Sequence, residues 1–345
     1  MSVKEDLEII LFTFNRKKYL ERTMNYLLHE DSPVKDFKIT VIDNRSIDGT
    51  EEYLTELAKK KSNLIYVRNK FNYSSGTVIR GFDSITQKYV WMIADDDVYD
   101  WTNWSEVEEA IKREEDIICI ANYCIKDKNK LEEVLLQMTF YPSMIYKTSN
   151  ITDEVAFNFS HNLYMFFWHF PIICSVLNKG KTIYVCDKWI VNNGMMVDVD
   201  FGVEVDGTVS RGYNADELYP RNKNMTWGIG FANAVALLKD KDLKERVMEI
   251  AQTFQNLTFD EYVKMHIRQE IADVERWSNL TDLYAQLSKS QRKRFRKYLL
   301  HYVLGKIKML RPKLRKDDDG ITLVIFNKMK IKIWKKKYKE ETACS

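Results

Sequence analysis

Apolar and polar positions over residues 7–100 switch repeatedly between two periods. Leu7 to Phe14 is an apolar run broken only by Glu8 and Thr13, the pattern of a strand covered on both faces. Behind it Tyr19/Leu20, Thr23/Met24 and Leu27/Leu28 recur at helical spacing. Phe37 to Ile42 predicts a second strand. The turn-forming stretch Asp43-Asn44-Arg45-Ser46-Ile47-Asp48-Gly49-Thr50 then leads into a helix over Glu51–Lys60, with Thr50 as its N-cap. Leu64 to Val67 is a third strand. Asn72-Tyr73-Ser74-Ser75-Gly76 opens a helix reaching Ile85, and Tyr89 to Ala94 is a fourth strand. Four strands alternating with three helices predict parallel βαβ units and a doubly wound α/β sheet.

The pattern thins beyond residue 100. Leu163 to Leu177 is the longest apolar run, but fifteen residues containing His169 and Pro171 are too few to span a bilayer, so a buried helix is expected. Asn178-Lys179-Gly180 ends it, and Thr182 to Val185 is strand-like. Turn signals follow at Asn192-Asn193-Gly194 and Val205-Asp206-Gly207-Thr208, and Arg211 to Trp227 shows no period. Asp216-Glu217 is an acidic pair within that loop-like stretch. From Gly230 to Leu310 helical spacing returns, as in Val247/Ile250/Ala251 and Leu280/Leu283/Tyr284/Leu287. The expected organisation is a catalytic domain over 1–215, divided near residue 100, then a helical region over 216–316. A basic tail over 317–345 closes the chain, either as a short hairpin or disordered.

Composition adds an asymmetry. The 345 residues are 45% hydrophobic and 13% aromatic, ample for a core, and carry a net charge of +3. Residues 289–345 hold 19 basic and 5 acidic residues, a local +14, against 34 basic and 45 acidic in 1–288, or −11. Lys289 to Lys316 has twelve basic residues, no acid, and a stripe of Phe295, Tyr298, Leu299, Tyr302, Val303, Ile307 and Leu310. A basic amphipathic segment of that kind suits an anionic membrane surface, and a partner-facing or solvated helix is the plainer alternative. No nucleic acid is expected, because these aromatics follow helix spacing and form no stacking platform. Five cysteines without Cys-x-x-Cys spacing, and a start without a secretory pattern, lead to the expectation of a cytoplasmic protein, peripheral at the inner face of the plasma membrane.

The chemistry collects at the strand ends. Thr13/Asn15, Asp43, Asn72/Arg80 and Asp95/Asp97 fall on one edge of a parallel sheet, where such sheets bind ligands. Three consecutive carboxylates, Asp95-Asp96-Asp97, repel one another unless a cation sits among them, and carboxylate oxygens suit Mg²⁺ or Mn²⁺. No Gly-x-Gly-x-x-Gly follows the first strand and no strand leads into a Gly-x-x-x-x-Gly-Lys-Ser/Thr loop, which disfavours dinucleotide and P-loop sites.

Thr13-Phe14-Asn15-Arg16, Asp43-Asn44-x-Ser46-x-Asp48-Gly49-Thr50, Asn72-x-x-x-Gly76-x-x-x-Arg80-Gly81 and Asp95-Asp96-Asp97, in this order, resemble a family 2 glycosyltransferase. The resemblance covers residues 7–100 closely. It implies the GT-A fold, with an appended C-terminal helical region here, and metal-dependent, inverting transfer from a nucleotide-diphospho-sugar, UDP-linked by preference. The acceptor implied is a glycan or lipid-linked oligosaccharide of capsule or lipopolysaccharide type. Thr13, Asn15, Arg16, Asp43, Asn72, Arg80, Asp95 and Asp96 would then hold the donor, with Asp97 and Asp95 toward the metal. Inversion needs a base for the acceptor hydroxyl. The family places an acidic residue about a dozen positions before the Gly180 turn, where this chain has Trp168-His169. His169 is therefore a candidate base, Asp153 and Asp187 are alternates, and His161 is a weaker one. The departure keeps open a degenerate, membrane-associated scaffold. A sugar-1-phosphate nucleotidyltransferase is a lesser rival, since Thr13 to Lys18 lacks the glycines it would want.

Overall fold

Each apolar run of the first hundred residues folds as the strand its pattern predicts. In a computed structural model, residues 3–122, 125–162, 167–194, 231, 234–250, 284–285, 287, 289–306, 313–317, 320–325 and 329–335 are described. A short helix α1 (Val3–Asp6) precedes β1 (Leu7–Thr13), followed by α2 (Lys17–Leu28), β2 (Lys38–Asp43), α3 (Thr50–Lys60), β3 (Leu64–Arg68), α4 (Thr77–Asp83) and β4 (Tyr89–Ala94). Then come β5 (Val98–Tyr99), α5 (Trp104–Lys112), β6 (Ile117–Cys119), α6 (Leu131–Gln137), β7 (Met144–Lys147), α7 (Asp153–Asn162), α8 (Phe170–Asn178), β8 (Ile183–Val185) and β9 (Val191–Asn192).

The sheet order is β3-β2-β1-β4-β7-β6-β8. The strands β1 to β4 are mutually parallel, β7 runs antiparallel to both neighbours, and β6 and β8 are parallel. This is the doubly wound, mostly parallel plan expected. The chain winds outward from β1 to β3 and then returns to place β4 on the other side of β1. The carboxyl ends of β1 and β4 therefore form the switch point at which such sheets bind ligands.

Burial fixes this arrangement. Leu7, Ile9, Leu11, Ile39, Val41, Trp91 and Ile93 are buried to 5% or less and pack with Leu20, Met24 and Leu27 of α2. At the far end of β1, Glu8 is buried but saturated: it pairs with Lys38 Nζ at 2.7 Å and accepts the Thr86 and Gln87 backbone N–H groups. Below the β4 end, Trp91, Tyr99, Trp101 and Trp104 form a ring cluster, with Tyr99 and Trp101 stacked at 5.3 Å. Trp91 Nε1 donates to Pro142 O at 2.8 Å, which locks the largest side chain of the cluster.

The helix start near residue 50 differs from expectation. Gly49, at φ +87°, is the N-cap, and Thr50 is the first helical residue. Asp48 has taken over the side-chain role: its Oδ1 accepts from Thr50 Oγ1 at 2.6 Å and its Oδ2 from Lys17 N at 2.8 Å. A left-handed residue at this point is free of strain only as glycine. The long apolar run begins its helix at Phe170, with residues 163–166 outside the described residues.

The chain divides into two units, Met1–Asn256 and Leu257–Ser345, so the first extends beyond position 215. Helix α9 (Lys241–Ile250) belongs to the first unit. The second contains α10 (Lys289–Lys306) and a three-stranded antiparallel sheet, β10 (Lys313–Asp317), β11 (Gly320–Ile325) and β12 (Met329–Lys335). The described helix of the basic segment runs from Lys289 to Lys306. Its end and the expected hairpin join as three paired strands, consistent with the alternation in Met329-Lys330-Ile331-Lys332-Ile333. Phe295 and Gln291 of α10 are buried, whereas Lys289, Lys293, Arg296, Lys297 and Leu300 form its exposed face. No helix among the described residues is long and apolar enough to cross a membrane.

Candidate functional site

The strand β4 runs directly into Asp95, Asp96 and Asp97, which are 2%, 9% and 1% exposed. Uncompensated burial of three adjacent carboxylates is prohibitive, so the partner of each oxygen matters. Asp95 is satisfied on both sides, its Oδ2 accepting from Thr13 Oγ1 at 2.7 Å and its Oδ1 from Arg16 Nη1 at 2.8 Å. The other arm of the same guanidinium, Nη2, donates to Asp96 Oδ2 at 2.8 Å. The register of β1 against β4, Phe12 beside Ala94, makes this possible, because it sets Thr13 next to Asp95. Two turns along α2 from Arg16, Thr23 Oγ1 donates to Asp95 O at 2.9 Å, and Arg22 Nη2 donates to Asp96 O at 2.7 Å.

Asp97 stands apart. Its Oδ2 is buried and has no hydrogen-bond partner among the described residues. Burial, with Asp96 and Asp95 beside it, pushes its carboxyl well above the usual range. Burial likewise raises Asp95 to about 6, against the pull of Arg16, and Asp95 in turn holds the Arg16 guanidinium protonated. Burial and then the Asp97 charge also raise the phenols of Tyr99 and Tyr141, and Tyr99 Oη lacks a partner as well.

These residues fit a divalent cation. Mg²⁺ and Mn²⁺ are commonly held by one or two carboxylates plus substrate phosphate oxygens and water. The orphan Asp97 oxygen is one such donor, while both Asp95 oxygens are already engaged. Among the described residues no group of three or more His, Cys, Asp or Glu could hold a metal by itself, so the remaining ligands would come from substrate and solvent.

The loops after β1, β2 and β3 form one hydrogen-bonded unit. Asn15, at φ +51°, a conformation asparagine tolerates, donates its N–H to Ser46 Oγ at 2.9 Å and accepts Ile47 N–H at 2.8 Å. Asp43 accepts Ser46 N–H at 2.8 Å and Tyr66 Oη–H at 3.1 Å, with Arg68 Nε at 3.4 Å. Asn72 accepts from Asn44 Nδ2 at 2.7 Å, and Asn44 Oδ1 accepts Tyr73 N–H and Asn69 Nδ2. Beside this unit lies a cleft of about 440 Å³ lined by Arg68, Asn69, Lys70, Tyr73, Gly76, Ile79 and Arg80. Its three cations and partly exposed ring suit a flat, anionic ligand.

The base candidates are spread out. His169 is 0% exposed, with Nε2 2.8 Å from Met138 O and Nδ1 unpartnered, enclosed by Tyr141, Phe167, Trp168 and Phe170. Burial lowers its pKa to about 4, so the ring is neutral and closed to solvent. Asp153 is exposed in the first turn of α7. Asp187 is exposed and ion-paired with Lys128. The side chain of His161, and Asp216 and Glu217, lie outside the described residues.

Sequence reasoning missed several members of the site. Arg22 and Thr23 brace the acids through backbone carbonyls, and Thr23 had a signal, since it lies seven residues from Arg16 on one helix face. Tyr66 and Arg68 carry none, because only the pairing of β2 with β3 brings them to Asp43. Gly194 carries a turn signal, which does not place it beside the acids. The pairing of β5 with β9 brings it so close to the Asp96 carbonyl that any Cβ would collide there.

Residues 8–170 match the family described as glycosyl transferase family 2. Over 88 residues the chain is 33% identical to abequosyltransferase RfbV of Salmonella typhimurium strain LT2, a match spanning 25% of this chain and 26% of that protein. The chain thus covers about a quarter of that curated relative. The crystal structure of S. aureus TarS 1–349 in complex with UDP-GlcNAc aligns over 95% of this chain and 98% of that one, with a TM-score of 0.55 and 14% identity. The same protein in complex with UDP aligns over the same shares with a TM-score of 0.51 and 14% identity. At these identities the likeness is one of fold.

Proposed function

Through residues 8–170 this chain belongs to the family 2 glycosyltransferases, and from that premise we propose a metal-dependent, inverting transferase. It moves a sugar from a nucleotide-diphospho-sugar, with UDP as the nucleotide, to a hydroxyl of a glycan or lipid-linked oligosaccharide in surface-glycan synthesis. The observation that carries this is the unpartnered Asp97 oxygen, buried at the switch point of the sheet. A buried carboxylate left unsatisfied inside an otherwise saturated network costs stability and persists where a ligand completes it. The UDP-GlcNAc held by the fold neighbour TarS supports the donor class, and the relation to an abequosyltransferase supports the glycan class.

In this proposal the cleft beside Arg68 and Tyr73 takes the nucleoside, with Arg80 and Lys70 facing its anionic part. Thr13 and Arg16 fix Asp95, Asn15 and Asp43 hold the connecting loops, and Asn72 ties them to the cleft wall. Asp97 would hold the divalent ion, which when bound acts as a Lewis acid toward the leaving diphosphate. For the proton of the acceptor hydroxyl, His169 is poorly placed, being neutral and enclosed. Asp187 and Asp153, both exposed, are the alternates.

Calorimetry with UDP, GDP, dTDP and CMP, each with and without Mn²⁺, tests the donor site. One nucleotide binding in a Mn²⁺-dependent way supports it, and silence from all four refutes it. The enclosure of His169 also favours a second proposal, a degenerate transferase serving as a scaffold. Release or transfer of sugar from any donor would exclude it. The exposed basic face of α10 supports a peripheral, membrane-surface placement.

A further inference from the structure

The acidic triplet poses an electrostatic problem that the chain solves internally. Arg16 places one arm on Asp95 and the other on Asp96, both at 2.8 Å, and so offsets much of the charge on this pair of neighbouring carboxylates. A divalent ion meeting this site without donor finds one buried, unpartnered oxygen on Asp97, an Asp96 already held through Oδ2, and a positive charge close by. We propose that Arg16 is a counter-cation that withholds Asp95 and Asp96 from free metal. On this basis a divalent ion binds well only together with a nucleoside diphosphate. The inference rests on the donor site proposed above and adds to it an order of assembly.

Three features equip Arg16 for this. Its side chain is 24% exposed, so it can leave the acids toward solvent, unlike Asp95 at 3%. Its guanidinium lies against the Tyr19 ring at 5.3 Å, which holds its plane without consuming its donors. The loop does not depend on it for shape: Thr23 and Arg22 hold the Asp95 and Asp96 carbonyls independently. An incoming diphosphate offers Arg16 a bidentate anionic partner as good as the carboxylates. Its transfer to that partner frees carboxylate oxygens for the metal. Diphosphate and metal then favour each other's binding, and that coupling is reciprocal.

Mn²⁺ titration of the full chain, followed by the electron paramagnetic resonance signal of the free ion, tests this with and without UDP. In wild type without nucleotide, binding should be weak and should strengthen on adding UDP. In Arg16→Met, which keeps an apolar stem over Tyr19, nucleotide-free Mn²⁺ affinity should rise by ~tenfold or more through loss of a nearby like charge, and UDP should strengthen it less. Arg16→Lys, a point charge that engages one carboxylate at a time, should fall between. A merely structural arginine predicts the reverse, looser acids and weaker metal binding. Nucleotide-free affinity in Arg16→Met equal to or below wild type, in protein whose circular dichroism matches wild type, overturns the inference, and Arg16→Lys decides if the methionine variant does not fold. Failure of the four nucleotides to bind wild type would instead strike the donor-site proposal, because the nucleotide-free titration does not depend on it.

Discussion

At the scale of single residues the site separates stability from ligand binding. Asp97 is the one acid of the triplet with a buried, unpartnered oxygen, so its loss should remove metal binding without loosening the fold. Asp97→Asn should abolish Mn²⁺-dependent nucleotide binding in calorimetry, while thermal unfolding shows a midpoint equal to or above wild type. The amide relieves like-charge repulsion from Asp95 and Asp96 worth ~1 kcal/mol. His169 allows a prediction of sign. Its pKa falls from about 6.5 in the unfolded chain to about 4 in the folded one. Between those values the unfolded state binds more protons, so this group's contribution to stability falls as pH drops from 6.5 toward 4. It amounts to ~3 kcal/mol by pH 4. Thermal unfolding of His169→Phe across that window should lack this contribution to the loss and run parallel to wild type above pH 6.5. Equal pH slopes in the two proteins would contradict the burial of a neutral ring.

At the scale of elements, the short pairing of β5 with β9 does more than its two residues a side suggest. It folds the chain back so that Gly194 meets the Asp96 carbonyl and Arg22, whose Nη2 a Cβ there would meet at 2.7 Å. Gly194→Ala should therefore displace either the acidic turn or the β9 end. Donor binding should fall at least tenfold, with a loss of ~1–3 kcal/mol in denaturant unfolding, the usual cost of overpacking. Gly81 packs on β1 in the same manner, with Phe12 Cζ 2.6 Å from any added Cβ, but that contact can yield by rotation of a ring. The helix α10 shows the converse, an element whose outer face is left charged. Its buried side holds Phe295, and its exposed side holds Lys293 and Lys297 one turn apart. Membrane contact would thus be electrostatic, ~1 kcal/mol for each basic residue at an anionic surface. In co-sedimentation with phosphatidylserine vesicles, Lys293→Glu with Lys297→Glu should reduce binding at least tenfold and blunt its salt dependence. Nucleotide binding should stay at wild-type strength.

At the scale of the whole molecule, the charge asymmetry maps onto the two units. The excess of acid lies over the first 288 residues, which include the sheet and its site, and the +14 segment lies within Leu257–Ser345. On the proposed reading an acidic body needs a local cation to admit a diphosphate, and the first unit carries Arg16 at the acids and Arg68, Lys70 and Arg80 around the cleft. The second unit concentrates its charge on a helix face and in a strand-rich tail. On the proposed reading, donor binding and surface attachment would have separate sequence determinants, as the α10 and Asp97 variants would reveal.

The sequence determined the layers and the edge at which the polar clusters gather. Strand and helix periods are local properties, and a polar cluster at the end of an apolar run lies at the end of a strand whatever happens elsewhere in the chain. The parallel sheet from β1 to β4 and the polar clusters at its carboxyl edge, Asp95 to Asp97 among them, could be read this way. Tertiary structure decided which of the three acids keeps a buried, unpartnered oxygen. Arg16 reaches Asp95 across 79 residues of sequence only because β1 and β4 pair in one register. Tertiary structure also enclosed His169, whose sequence signal is the same for a base and for a core residue, and moved the cap at residue 50 to Gly49. It gave the tail strands partners, which alternation alone does not name. For the acids and for His169 the deciding quantity was a contact between segments distant in sequence, and such contacts exist only once the chain has folded.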